Sequence, residues 1–525
     1  MKILIADPVA QEGIDILKLD HQVDIKTKQT EEQLMEIIGD YDALVVRSET
    51  KVTKNIIDKA DKLKAIGRAG VGIDNIDVEA ATQKGIVVLN APEGNTIAAT
   101  EHTMAMMLAL ARNIPQAYMS MKQGKWERSK FVGVELRGKT IGILGLGRIG
   151  RGVAKRAAAM EMKILGYDPY VTEEQARLVG IRKAQLAEIF SESDFITLHL
   201  PQTPDTKGML NKAAFEKMKP TARIVNCARG GVVNEADLAA ALNSGMIAGA
   251  AVDVFSKEPI AADNPLLSAE RILFTPHLGA STEEAQVGVA VDVARGIIQV
   301  LKGKTAQTAV NMAMVSSATL EAIKPYFNLA EKMGTLAVQL LQGGVEEIQV
   351  EYNGEVSGYD LRLLTAAVIK GVLAPMTEQS VNFVNAYHLA KDRGIHVREI
   401  KSEDKKEFAN LITVTVGSTD GRHLVAGTLL GDRDARIVRM DNYRVDIAPK
   451  KVLLICPHVN RPGMIGKVAT ILGKNKINIG GMQLEQMAQP GNNIMLIALE
   501  VEPGSAVLEQ IAAIDGVAQP TVVTF

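Results

Sequence analysis

The sequence predicts an α/β chain: two lobes on doubly wound parallel sheets, then an α+β unit and a terminal βαββαβ unit. Three observations carry that expectation. Through roughly the first 300 residues short β-branched runs alternate with helical patterns, as parallel βαβ units require. Near Asn311 the alternation stops and antiparallel-looking strands mix with helices. The final stretch reads strand, helix, strand, strand, helix, strand, the order of a ferredoxin-like split motif. At 525 residues the chain is too long for one core and must divide into several.

The elements follow in order. Apolar runs predict strands over Lys2–Ala6, Ala43–Arg47, Ala65–Arg68 and Val87–Leu89. Residues Thr96–Ala111 predict a buried core helix, which carries Glu101 and His102 and is too short to span a bilayer. A second strand series is expected at Thr140–Leu144, Lys163–Tyr167, Phe195–His199, Arg223–Asn226, Gly249–Val254 and Ile272–Thr275. Helices are expected over Asn234–Asn243, closed by Ser244-Gly245, and from Thr282 to Leu301, stopping at Gly303. A hairpin is expected from Leu411–Val416 and His423–Leu429, turning at Thr419-Asp420-Gly421. The last unit reads as strands Lys451–Pro457, Ile479–Gln486, Ile494–Glu500 and Val517–Phe525, with helices Met464–Leu472 and Ala506–Ile514. The expected units are 1–95 completed by 283–303, then 96–282, 312–449 and 450–525.

Composition removes several classes of function. A net charge of −2 gives no bulk attraction to nucleic acid or an anionic membrane surface. Two cysteines far apart, Cys227 and Cys456, make no disulfide framework and suit a reducing cytoplasm. Asp7-Pro8 ends the first apolar run too early for a secretory leader.

Gly145-Leu146-Gly147-Arg148-Ile149-Gly150 follows one predicted strand and opens a helix near Arg148. Gly145 permits a tight turn, Gly147 lets backbone approach a pyrophosphate, and Gly150 lets helix and strand pack closely. Free N–H groups at the helix start then face the phosphates. Such a glycine pattern alone is weak, but Asp168 ends the next strand, as a dinucleotide site requires. Its carboxylate accepts from both ribose hydroxyls and repels a 2′-phosphate, and no arginine follows it, so NAD is expected rather than NADP.

Three further segments end later strands: Asn226-Cys227-Ala228-Arg229-Gly230-Gly231, Asp253 to Pro259, and Thr275-Pro276-His277-Leu278-Gly279-Ala280. Oxidising a hydroxy acid needs a base for the hydroxyl proton, a cation for the carboxylate, and an acid that holds the base. His277, Arg229 and Glu258 supply one of each. Singly, each also reads as an ordinary loop residue. Cys227 reads as core packing, and no metal spacing accompanies it, so no metal is expected. Arg47 and Arg68 end strands of the first lobe and read equally as forks for a phosphate or as surface ion pairs.

These segments, together with Val46-Arg47-Ser48, Gly67 to Asn75, Asn95-Thr96 and Gly124-Lys125-Trp126-Glu127-Arg128, resemble the D-2-hydroxyacid dehydrogenase family in its long form, over essentially the whole chain. The resemblance implies two Rossmann-like lobes closing on a cleft. It implies oxidation of 3-phospho-D-glycerate to 3-phosphohydroxypyruvate, the first step of serine synthesis. Arg229, Glu258 and His277 are then catalytic. NAD contacts fall to Gly145, Gly147, Arg148, Ile149, Gly150, Asp168, Cys227, Ala228, Arg229, Asp253, His277 and Gly279. Arg47 and Arg68 join Arg229 and His277 around the substrate, and Arg128 reaches a neighbouring subunit. The last unit resembles an ACT regulatory domain through Cys456 to Gly463 and Asn478. There His458, Asn460 and Asn478 match positions that bind L-serine across a pair of such domains. On the residues alone, His458 and Asn460 also read as turn-shaping residues, with Asn460 as a helix cap. Residues 312–449 resemble the long form's intervening domain, to which no ligand is assigned. The family also implies a homodimer through the nucleotide lobes or a homotetramer using the C-terminal units. A dehydrogenase for glycerate, lactate or glyoxylate, or an NAD-sensing scaffold, stays open as an alternative.

Overall fold

The computed structural model covers residues 1–525 and describes all but Thr305, Met314, Asp420, Asp432, Lys450 and residues 487–491. Five parallel strands form the first sheet: β1 (Lys2–Ile5), β2 (Gln22–Ile25), β3 (Ala43–Val46), β4 (Ala65–Arg68) and β5 (Val87–Leu89), ordered β2-β1-β3-β4-β5. The sequence reading omits β2. None of its four residues is buried, so no apolar run marks this edge strand. The helix Glu283–Leu301, capped by the Thr282 side chain, returns to this sheet. Its Val289, Val293 and Ile297 share a core with Ile3, Ile5, Val45 and Ala65.

The second sheet has seven parallel strands: β6 (Thr140–Leu144), β7 (Lys163–Tyr167), β8 (Arg182–Lys183), β9 (Phe195–Leu198), β10 (Arg223–Asn226), β11 (Gly249–Val252) and β12 (Ile272–Phe274). Their order, β12-β11-β10-β9-β6-β7-β8, reverses between β6 and β9. A crevice opens at the carboxyl ends of the strands at such a reversal. The helix Thr96–Ala111 packs on this sheet through Met104, Met107 and Leu110. Several strands end one or two residues earlier than expected. Arg47, His199, Asp253, Val254 and Thr275 therefore lie beyond the ladders, in the loops at the crevice. The short polar strand β8 is a second edge the sequence reading omits.

The third sheet holds β13 (Glu347–Gly354), β14 (His396–Ser402), β15 (Asn410–Ser418), β16 (Gly421–Leu430), β17 (Asp434–Met440) and β18 (Tyr443–Ile447), ordered β14-β13-β15-β16-β17-β18. Its ladders are antiparallel except β13 with β14. That pair is parallel because the helices Arg362–Leu373 and Ala386–Asp392 cross between the strands. The expected hairpin is β15–β16, with both strands longer than expected; Asp420 of its turn lies outside the described residues. This unit docks on the first lobe, where Asn382 Nδ2 donates to the Gly85 carbonyl at 2.7 Å and Gln379 Nε2 to Gln83 at 2.9 Å.

The fourth sheet is antiparallel: β19 (Val452–Val459), β20 (Ile479–Gln486), β21 (Asn492–Leu499) and β22 (Thr521–Thr524), ordered β20-β21-β19-β22. With the helices Met464–Lys474 and Ser505–Ala512 it makes the expected βαββαβ unit. The last strand starts after Pro520 rather than at Val517, since proline cannot donate to the ladder. Among the described residues no helix is long and apolar enough to cross a membrane.

Candidate active site

The glycine loop sits at the point where the strand order reverses. Gly145 has φ +95, and a Cβ there would run into the His199 carbonyl. A Cβ on Gly150 would meet the Gly145 carbonyl oxygen. Gly147 faces open space, with nothing within 4 Å of where its Cβ would stand. The three glycines thus divide into turn, approach and packing positions, and the open one is where a pyrophosphate needs room. The helix Arg148–Ala159 starts on Gly147 with no side-chain cap, so its first N–H groups are presented to a ligand. Asp168 ends at this loop: its Oδ2 accepts from Leu146 N and its Oδ1 from Tyr170 N, both at 2.9 Å. The Arg148 side chain turns to Glu93, at 3.0 Å, leaving its backbone at the helix start.

At the other end of the crevice His277 Nδ1 lies 2.6 Å from Glu258 Oε2. Glu258 Oε1 accepts from Phe255 N at 3.0 Å. Burial raises the Glu258 pKa, but the hydrogen bonds from His277 and Phe255 outweigh it and hold the carboxyl below the usual glutamate range. His277 has φ +56, a region non-glycine residues seldom occupy, and its N–H reaches the Asp253 carbonyl at 2.9 Å. Asp253 is fully buried. Its Oδ1 accepts from Thr275 Oγ1 at 2.6 Å and Leu278 N at 2.7 Å, and its Oδ2 from Gly279 N at 2.9 Å. His102 Nε2 adds a contact at 3.2 Å. Burial raises the Asp253 pKa, yet His102, Thr275 and Leu278 together leave it lowered. The Asp253 side chain is thus what folds the loop that carries His277. His102, Cys227 and Asp253 bring donor atoms within 4.8 Å of one another. Burial and the Asp253 charge push the Cys227 thiol up to about 12.

Three arginines gather opposite. Arg229 Nε donates to Asp74 Oδ2 at 3.1 Å, and its Nη1 to the Ala228 carbonyl at 2.7 Å. Burial, and then the Arg229 charge, push the Arg68 guanidinium down to about 10; Asp74 opposes this, and Arg47 adds to it. Arg68 Nε is buried with no partner among the described residues. The backbone of Gly70 lies against the Arg68 guanidinium and that of Gly72 against Arg229, so a side chain at either would displace an arginine. Arg47 is placed by Asp7, buried, whose carboxylate accepts from Arg47 N at 2.6 Å and from Thr50. Asn75 Nδ2 ties down the same turn at the Arg47 and Thr50 carbonyls.

The structure therefore brings Arg229, Glu258, His277 and Asp253 to one end of the crevice, with Cys227, Ala228 and Gly279 on the adjoining loops. Arg47 and Arg68 face Arg229 from the first lobe. The sequence reading gives no site role to Asp7, Asp74 or His102; each is a single polar residue whose partner is remote in the chain, and no local spacing reveals that. The C-terminal trio is not joined within one chain. His458, buried, is the last residue but one of β19, with Nε2 unpartnered among the described residues, and Asn460 is exposed just beyond the strand. Asn478 donates to Glu500 at 3.0 Å, next to Leu499, which pairs with Val452 at the far end of β19. Asn460 does not cap the following helix; Gly463, with φ +87, holds that place. A separate cavity of about 890 Å³ lies on the third sheet, lined in part by Lys406, Arg439, Asn442 and Arg444.

Fold and site together define an NAD-dependent oxidoreductase of the D-2-hydroxyacid kind. Residues 104–279 match the model of the D-isomer specific 2-hydroxyacid dehydrogenase NAD-binding domain. Residues 322–441 match that of the D-3-phosphoglycerate dehydrogenase intervening domain. The chain is 45% identical to a D-3-phosphoglycerate dehydrogenase of Synechocystis over 98% of its own length and 93% of the relative's. It is 43% identical to the enzyme of that name from Archaeoglobus fulgidus over the full length of both. Among solved structures, an NAD-dependent formate dehydrogenase from Staphylococcus aureus in complex with NAD superposes with a TM-score of 0.53 at 30% identity, covering 58% of this chain and 97% of that one. The chain belongs to the D-3-phosphoglycerate dehydrogenase family.

Proposed function

We propose that the chain oxidises 3-phospho-D-glycerate to 3-phosphohydroxypyruvate with NAD, as the first step of L-serine biosynthesis. The observation that carries this is the gathering of Arg47, Arg68 and Arg229 beside the His277–Glu258 pair. Bound along the glycine loop, NAD supplies the hydride acceptor. His277 Nε2 takes the 2-hydroxyl proton, while Glu258 at Nδ1 holds the ring in the tautomer that leaves Nε2 free. Arg229 grips the carboxylate and the carbonyl that develops at C2. Arg47 and Arg68 take the phosphate; an acid without one leaves both guanidiniums unanswered. Asp168 takes the adenosine ribose. On this reading residues 1–95 with 283–303 form the substrate lobe, 96–282 the NAD lobe, 312–449 the intervening unit and 450–525 an ACT unit.

The finer assignments rest on the same reading. A homodimer through the nucleotide lobes is supported by the exposed Ile114, Tyr118, Met119, Trp126 and Val132, an apolar stretch uncommon on a monomer. L-serine as effector needs a second ACT unit, because His458 and Asn478 stand at opposite ends of one sheet; pairing two units supports a tetramer. The free cysteines fit a cytoplasmic enzyme.

The test is NADH formation from 3-phospho-D-glycerate by wild type and His277→Ala. Wild type turns over, and the variant loses about a hundredfold to ten-thousandfold. No turnover of any 2-hydroxy acid contradicts the reading. Titrating L-serine checks the effector: unchanged turnover and no heat of binding would remove it.

A further inference from the structure

Glu235 opens the helix Glu235–Asn243, which follows the Arg229 turn and is capped by Asn234. An acid in the first turn of a helix is ordinary, since the helix dipole favours it. What is not ordinary is where both oxygens go. Oε1 accepts from Ser256 N at 2.6 Å, and Oε2 accepts from Asn264 Nδ2 at 2.6 Å. Asn264 in turn accepts from Leu266 N and begins the turn Pro265–Ser268. The segment between these two anchors, 256–264, contains Glu258. Glu258 takes its own place from Phe255 N, the residue before the first anchor.

The two loops also touch through backbone. A Cβ on Gly230 would collide with the Phe255 carbonyl group and with Ser256 N, so the Arg229 turn lies directly on the Phe255–Ser256 peptide. Asn226 closes that turn from inside, donating to the Arg229 carbonyl at 3.0 Å and accepting from Ala228 N at 3.1 Å. Arg229 and the Glu258 loop thus share one base, the start of this helix, and a single carboxylate fastens the loop to it at both ends. Charge-assisted hydrogen bonds of this length hold geometry more firmly than neutral ones.

We propose that Glu235 is a positioning residue for catalysis, fixing Glu258 against His277 and in register with Arg229 by clamping both ends of the 256–264 loop. The inference rests on the reading that Glu258 and His277 are the acid–base pair. Glu235 touches neither substrate nor cofactor and acts only through the loop.

A double-variant cycle tests this, with Glu235→Ala, Glu258→Gln and the pair combined, read by steady-state kinetics on the full-length enzyme. Kd for NADH by fluorescence and thermal melting are measured beside it. Glu235→Ala should lower kcat about ten- to a hundredfold, the loss expected when a charge-assisted hydrogen bond that sets a catalytic group is removed. KM for NAD and Kd for NADH should not move. The combined variant should lose clearly less than the product of the two single losses, because the clamp acts mainly through the side chain that Glu258→Gln already impairs. Glu235→Gln should fall between wild type and Glu235→Ala: its carbonyl still accepts from Ser256, but its amide cannot accept from Asn264. If Glu235→Ala does not fold, Glu235→Gln and Asn264→Ala carry the same cycle. A kcat within twofold of wild type, or losses that multiply in the combined variant, overturns the proposal. If Glu258→Gln itself keeps full activity, the reading of the acid–base pair fails instead, and the two failures are distinct.

Discussion

Arg229 and Asp74 meet across the cleft, the guanidinium Nε of one 3.1 Å from the carboxylate of the other, so that a loop of the first lobe holds an arginine of the second. With Nε held there and Nη1 donating to the Ala228 carbonyl, the orientation of the whole guanidinium, and on the proposed function its grip on the substrate carboxylate, depends on Asp74. Asp74→Asn keeps the shape and removes the charge. Its kcat/KM for 3-phosphoglycerate should fall roughly five- to tenfold, the difference between a charged and a neutral hydrogen bond, with NADH affinity unchanged.

Arg68 pays a stability cost for its place. It is largely desolvated, Nε is unpartnered, and two like charges stand near it. Arg68→Met should therefore leave the melting temperature of the ligand-free protein equal or higher. The same variant should raise KM for 3-phosphoglycerate about ten- to a hundredfold, the effect of losing a hydrogen bond to a charged group. A variant that melts earlier and binds substrate normally would reverse this assignment.

The two outer glycines of the loop differ from the middle one in a way melting and binding can separate. Gly147→Ala meets nothing within 4 Å, so the fold should be unaffected, while NADH affinity should drop about tenfold or more as the methyl group takes up space the pyrophosphate approaches through. Gly150→Ala gains about 1 kcal/mol of helix propensity. It nonetheless meets the Gly145 carbonyl, backbone that cannot swing aside, and should melt earlier than wild type.

Asp253 gives a pH dependence with a definite sign. Its folded pKa is lowered, so its contribution to stability is complete above the unfolded aspartate value of about 3.9 and is lost as pH falls through the lower folded value. Asp253→Asn leaves the buried Gly279 N–H or its neighbours facing an amide donor, at a cost of about 1–3 kcal/mol near neutral pH. The gap in melting temperature between wild type and variant should close as pH is taken below that range. A gap constant with pH would mean the carboxylate charge is not what holds the His277 loop.

Much of this was legible in the residues because it is local. The glycine loop, Asp168 and the βαβ alternation each announce themselves within a span of some thirty residues. Strand ends draw the eye to Arg47, Arg229, Glu258 and His277, but singly each also reads as a loop or surface residue, and the family resemblance is what gives them roles. What the sequence could not offer is pairing at long range. Asp7 needs Thr50 to be understood, Asp74 needs Arg229, and His102 needs Asp253, and none of these pairs has a spacing rule. The edge strands β2 and β8 were missed because short, half-exposed strands carry no apolar signature. The parallel pairing of β13 with β14 depends on which way the connecting helices cross, and composition does not encode that.

On the proposed function, Arg47 and Arg68 bind the phosphate of the substrate. The most direct measurement compares kcat/KM for 3-phospho-D-glycerate and for unphosphorylated glycerate, on wild type and on the combined Arg47→Ala, Arg68→Met variant. Wild type should favour the phosphorylated acid by about a hundredfold to ten-thousandfold, as two hydrogen bonds between charged groups would give. The variant should lose most of that preference while still turning over glycerate. Equal wild-type activity on the two acids, or a preference that survives loss of both arginines, would contradict it.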